Sequence, residues 1–151
     1  MTSHTEVAGR ERIVVGLDNS PAGAAALQWA LQEASQSDAS VTVVSAFDPS
    51  TRVDLTASSD VETEVSEHQR RVLDWVARSS PSLPADIAIR VTTPRSTVLS
   101  ALADAAKGAR CVVVGQPQDA RHHDLPTKLA GYCLCPIFVF EAGDAAHPVR
   151  V

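Results

Sequence analysis

The stretch from Gly115 to Pro126, "GQPQDARHHDLP", gathers residue types that can do chemistry. His122, His123 and Asp124 are all metal-ligand types. A metal site needs three or four converging ligands, and adjacent residues rarely aim at one ion. The other histidines do not help: His4 and His147 lie near the ends of the chain, and His68 falls in a polar helical stretch. The spacing therefore gives no metal site, and a surface loop that titrates near neutral pH is the simpler reading. Cys133 and Cys135, arranged C-x-C, raise a second chemistry, a thiol nucleophile with His122 or His123 as base. No Gly-x-Ser-x-Gly elbow or other catalytic signature accompanies them. Cys135 precedes a proline at the entrance of an apolar run, a structural setting, so the sequence assigns no catalytic residue.

The third chemistry is phosphate binding. "CVVVG" (Cys111 to Gly115) reads as a buried strand that delivers the chain to a ligand crevice. A phosphate loop after such a strand uses glycines, so that backbone N–H groups can approach the oxygens. Here there is no glycine between Gln116 and Ala130. Pro117 and Pro126 remove two backbone donors, while Asp119 and Asp124 add negative charge. Arg121 and Lys128 offset that charge without forming a cradle. The loop reads as a phosphate loop that has lost its phosphate.

Composition narrows the remaining classes. The 151 residues form one domain by length, and 44% hydrophobic content is enough for a core. A net charge of -5 argues against binding a nucleic-acid backbone, and 4% aromatic residues leave no stacking platform for single strands. The first residues, "MTSHTEVAGRER", contain no apolar signal segment, and no apolar run approaches a membrane span. Three cysteines without scaffold spacing suit free thiols in a reducing cytoplasm, with Cys111 a buried strand thiol.

The elements that must position these residues follow from periodicity. "RIVVGL" (Arg12 to Leu17) is a first strand. "DNSP" turns the chain, with Ser20 at a helix N-cap and Pro21 at the first helical position. The helix runs to about Ser35, with Gly23, Ala26, Leu27, Ala30 and Ala34 on one face. "SVTVVSAF" (Ser40 to Phe47) is a second strand ended by Asp48-Pro49. The stretch from Asp54 to Ser80 becomes helical, with Val61, Val65, Val72 and Val76 in a stripe that Leu73 widens. "ADIAIRV" (Ala85 to Val91) alternates as a third strand. A helix capped by Ser96 or Thr97 follows, with Val98, Leu102 and Ala105 inward and Gly108 as its stop. "RCVVVG" is the fourth strand and "PIFVF" (Pro136 to Phe140) the fifth, with a short helix near Thr127 to Tyr132 between them. Five strands alternating with four helical patterns predict a doubly wound α/β domain over residues 12–140, with helices on both faces of a parallel sheet. Residues 1–11 and 141–151 are expected to be flexible ends.

The first unit, "RIVVGLDNSPAGAAALQWALQEA", resembles the opening of the universal stress protein family: a strand, a V-G-x-D-x-S turn and a helix with an A-L-x-W-A core face. The matching residues are Val15, Gly16, Asp18, Ser20, Ala26, Leu27, Trp29 and Ala30. "VTVVSAFDP", "VVVG" and the Cys135-Pro136 before "IFVF" follow in the family's order, so the resemblance spans Arg12 to Phe140. It implies a five-stranded parallel sheet in the order 3-2-1-4-5, of the adenine nucleotide alpha hydrolase-like, Rossmann-type class. The ligand crevice would open where strands 1 and 4 meet. Asp18, Asn19, Ser20, Asp48, Gly115 and Gln116 would line it; Asp18 and Asp48 have ordinary turn readings as well.

Many family members bind ATP through G-x2-G-x9-G-[ST] after strand 4. Here Gly115 supplies the first position, and strict spacing then falls on Gln118, Lys128 and Leu129. Alignment backwards from Cys135-Pro136 puts His123-Asp124 at the Gly-Ser place, and Pro94 replaces a glycine common before the third helix. Two functions stay open. One is a non-enzymatic stress-response or signalling module with weak or no ATP binding and no cofactor. The other is a protein that binds ATP or another adenine nucleotide in an altered pocket, with slow hydrolysis. The resemblance also implies a homodimer through an exposed fifth strand, residues Pro136, Ile137, Phe138, Val139 and Phe140.

Overall fold

The computed structural model describes residues 11–17, 21–47, 61–79, 87–115, 125–141 and 144–150. Its strands are β1 (Arg12–Gly16), β2 (Ser40–Val44), β3 (Ile89–Thr92), β4 (Cys111–Gly115), β5 (Ile137–Glu141) and β6 (Asp144–Arg150). Its helices are α1 (Pro21–Ser37), α2 (Val61–Ser79), α3 (Val98–Ala105) and α4 (Leu125–Ala130). The sheet order is β3-β2-β1-β4-β5-β6. The first five strands in that order are parallel, with Val14 beside Val112 and Val113 beside Phe138. The expected 3-2-1-4-5 order is therefore present.

Continuous apolar strands suit a sheet covered on both faces. Ile13, Val15, Val41, Val43, Cys111, Val113 and Phe140 pack with α1 and α2 on one face. Val14, Val44, Val112, Val114, Ile137 and Val139 pack with α3 and α4 on the other. Small residues let α1 lie close: Ala22, Ala26, Ala30 and Ala34 are buried beside Leu27 and Leu31. Trp29 completes that face against Phe138 and Phe140, with ring centroids at 5.3 and 6.3 Å. α3 begins where Thr97 accepts a bond from the Ser100 amide at 3.2 Å, and Gly108 follows at φ +74°, a conformation that side chains disfavour. The Arg12 guanidinium donates to the Ala105 and Lys107 carbonyls, satisfying the exposed end of α3.

Two expectations need correction. In α2, Val72 and Val76 are buried as expected, but Leu73 is 48% exposed. The sheet contact is already filled by Val72, Val76 and half-buried Trp75, and Leu73 lies about 100° around the helix from Val72. The larger correction is at the C-terminus. Residues 144–150 form β6, antiparallel to β5, joined to it by only two residues. The tail is thus no loose end, and β5 is not the sheet edge that the dimer expectation required. Unpaired backbone groups on an apolar strand favour any strand within reach, and the nearest one belongs to the same chain.

Candidate functional site

Strand order places the winding reversal between β1 and β4, because α1 and α2 lie on one face and α3 and α4 on the other. The crevice above a parallel sheet opens at such a reversal. Its floor is Gly16-Leu17 at the end of β1 and Val114-Gly115 at the end of β4. Backbone bonds carry the neighbouring strands up to the same level: Leu17 N to Val44 O at 3.0 Å, Ser45 N to Thr92 O at 3.0 Å and Phe47 N to Pro94 O at 2.8 Å.

Both floor glycines are in tight contacts. A Cβ on Gly115 would stand 2.5 Å from the Gly23 nitrogen and 2.6 Å from the Ala22 carbonyl carbon, so the first turn of α1 closes directly on the end of β4. A Cβ on Gly16 would meet Val114 at 3.0 Å and Leu102 at 3.1 Å. Gly115, expected as the first glycine of a phosphate loop, thus has a packing role. Of the other expected crevice residues, Asp18, Asn19, Ser20, Asp48 and Gln116 lie outside the described residues, as do His122, His123 and Asp124. The chain re-enters the description at α4, where Pro126 and Leu129 are buried. Pro126 has no amide hydrogen to offer in that first turn.

Sequence reasoning missed a contact at the top of β2. Buried Ser45 meets His68 of α2, with Oγ 3.0 Å and the Ser45 carbonyl oxygen 3.3 Å from Nε2. The carbonyl can only accept, so the tautomer with its proton on Nε2 is the one that satisfies both contacts, with Oγ as second acceptor. In that tautomer Nε2 has no lone pair for the serine hydroxyl proton, so the pair is a clamp and not a nucleophile with its base. Phe47 packs against the same imidazole, ring centroids 5.8 Å apart. The signal was present: His68 falls in the helical stripe between Val65 and Val72.

Around this region, Arg95 pairs with Glu62, joining the β3–α3 connection to α2 and holding the Glu62 carboxyl below its usual range through a hydrogen bond and opposite charge. An open groove of about 460 Å³ beside the end of β3 is lined by Thr92, Thr93, Pro94, Ser96, Ala101 and Asp104. Its walls come from the β3–α3 connection and from α3 itself. Cys111 is buried, and burial pushes its thiol up to about 11. Burial also raises the half-buried Cys133 and Cys135 thiols, so neither is an activated nucleophile. Among the described residues, no three His, Cys, Asp or Glu side chains come together to hold a metal ion. Nor is any described helix long and apolar enough to cross a membrane.

Comparison with known proteins agrees with this architecture. The sequence profile of the universal stress protein family matches residues 9–125. The chain belongs to the universal stress protein family. Among solved structures, it is similar to a universal stress family protein from Burkholderia pseudomallei, at 26% identity and TM-score 0.61, over 85% of this chain and 94% of that one. It is also similar to the universal stress protein UspA from Lactobacillus plantarum, at 18% identity and TM-score 0.62, over 87% and 99%. A third is the universal stress protein from Archaeoglobus fulgidus in complex with dAMP, at 15% identity and TM-score 0.59, over 86% and 96%. No curated protein sequence matches the chain.

Proposed function

We propose that this universal stress protein is a non-enzymatic stress-response or signalling module of the cytoplasm with weak or no ATP binding. The observation that carries the reading is the contact of Gly115 with Ala22 and Gly23. The one glycine retained from the family's phosphate motif faces the backbone of α1. The loop beyond it, 116–124, has two aspartates, a proline and no glycine, and buried Pro126 withholds a donor in the first turn of α4. A triphosphate would meet few amide donors and added negative charge there. Mg-ATP then binds with a dissociation constant on the order of millimolar or weaker, about 4 kcal/mol of binding free energy. Titration calorimetry tests this directly, and low-micromolar binding of Mg-ATP overturns it.

A second reading keeps an adenine nucleotide in an altered pocket lined by Asp18, Asn19, Ser20, Asp48 and Gln116, with slow hydrolysis if ATP is bound. The intact reversal between β1 and β4 supports it, as does the dAMP complex of the Archaeoglobus fulgidus relative. A nucleoside monophosphate carries less charge past Asp119 and Asp124 than ATP does. Tighter binding of dAMP than of ATP in the same calorimeter favours this second reading. Dimerisation through Pro136, Ile137, Phe138, Val139 and Phe140 enters only conditionally, because β6 occupies the β5 edge.

A further inference from the structure

We propose that Cys133 and Cys135 are a reversible redox pair, two thiols that close into an intramolecular disulfide when the protein meets peroxide. The inference starts from the sides on which the residues of the short α4–β5 connection lie. Cys133 and Cys135 both pack against the core that the sheet shares with α3 and α4. Leu134 between them is fully exposed. Side chains that alternate in this way put residues two apart on one side, so the two sulfurs face the same way. Both are half-exposed, within reach of a small oxidant. Cys111 is buried on the opposite face of the sheet, in the core under α1.

The backbone suits ring closure. A disulfide joins Cα atoms about 4.4–6.8 Å apart. Residues two apart in a fully extended chain stand about 7 Å apart, at the far limit of that range. Here the chain bends at Leu134 and Cys135, and a bent chain holds such residues closer than an extended one. On the α4 side, Gly131 N donates to Lys128 O at 3.1 Å and Tyr132 N to Leu129 O at 2.9 Å. On the β5 side, Val112 N donates to Pro136 O at 3.0 Å. These bonds pin the connection outside 133–135, so closing the ring leaves them in place.

The chemistry needs only an oxidant of the peroxide class. One thiol, as its thiolate, attacks an oxygen of hydrogen peroxide; the O–O bond breaks, and a sulfenic acid and water result once a proton is taken up. The second thiol then attacks the sulfenic sulfur; the S–O bond breaks, and the oxygen leaves as water with the thiol proton. Two thiols and one peroxide give one disulfide and two waters, the sulfurs being oxidised and the peroxide oxygens reduced. Burial raises both thiols above their usual range, so the pair rests protonated at neutral pH and the first step answers to sustained peroxide, not to traces. The second step is intramolecular, with the partner already on the same side. A small dithiol returns the pair to thiols by exchange. None of this involves the residues of the crevice, so the pair stands whether or not a nucleotide binds there.

The test treats the full-length protein with hydrogen peroxide, then unfolds it, alkylates it and cuts it with trypsin for mass spectrometry. Both cysteines of the pair fall in the fragment 129–150, and Cys111 falls in 111–121. After oxidation, 129–150 should be lighter by two hydrogens and carry no alkyl group, while 111–121 is alkylated as before. Dithiothreitol should restore alkylation at Cys133 and Cys135. A cross-link from 129–150 to 111–121 or to a second copy would overturn the pairing, as would full alkylation or a sulfinic acid in place of the disulfide. Cys133→Ser and Cys135→Ser should each lose the internal disulfide and leave the remaining thiol as a sulfenic acid that a 1,3-diketone traps. Either variant forming a disulfide with Cys111 as fast as the unmodified chain forms its own would sink the proposal. If a serine variant does not fold, Cys133→Ala or Cys135→Ala takes its place with the same outcomes.

Discussion

Gly115 and Gly23 meet backbone to backbone: a Cβ on Gly115 would lie 2.5 Å from the Gly23 amide nitrogen. Backbone atoms cannot swing aside as a side-chain end can, so the end of β4 and the first turn of α1 are locked at glycine distance. Gly115→Ala should destabilise the fold by about 1–3 kcal/mol, as overpacking does, and lower Tm by roughly 5 °C. Gly16→Ala, whose nearest neighbours are side-chain atoms of Val114 and Leu102, should cost less. Thermal melts of the two variants check the order, and an unchanged Tm for Gly115→Ala would refute the contact.

The clamp between Ser45 and His68 predicts a coupling energy. In a double-mutant cycle with Ser45→Ala and His68→Ala, the interaction should be about 0.5–1.5 kcal/mol, measured by denaturant unfolding. Nitrogen NMR should report a proton on His68 Nε2. A proton on Nδ1 instead would remove the bond to the Ser45 carbonyl and revive the base role.

Cys111 sets a pH dependence at the alkaline end. Its thiol is raised from about 9 to about 11 by burial, so the folded state holds the proton more tightly than the unfolded state. Its contribution to stability is full below about pH 9 and is lost as the pH rises through about 11. Cys111→Ala should flatten the fall in unfolding free energy over that window. Alkylation should modify Cys133 and Cys135 before Cys111, because those two are half-exposed and Cys111 is buried.

Trp29 ties α1 to β5 through Phe138 and Phe140. Trp29→Ala should cost about 3 kcal/mol, measured as a shift in the urea midpoint. A loss below about 1 kcal/mol would mean that β5 is held chiefly by its ladder with β4.

Much of the fold was legible because apolar period and turn chemistry are local. Continuous β-branched runs mark strands covered on both faces, and alternation with helical stripes gives a parallel sheet. Thr97 and Gly108 could be read as the limits of α3 from their own chemistry, and Trp29 as core through the resemblance of A-L-x-W-A to the family's core face. Leu73 shows where the method ends: the stripe identifies a face, but how wide a strip of it the sheet covers depends on where α2 sits.

The sequence by itself determined the first five strands, the helices and the absence of glycine from 116–124, and its resemblance to the family implied the strand order. Only the tertiary structure decided what Gly115 touches, that His68 reaches Ser45, and that residues 144–150 join the sheet. The physical reason is the same for all three. A residue's type limits what it can bond or bury, but its partner is set by which elements the sheet brings together, and that information is absent from any local pattern. Gly115 permits a phosphate or a helix to approach; the placement of α1 selected the helix. The composition of DAAHPVR disfavours a strand, and the open backbone of β5 made it one.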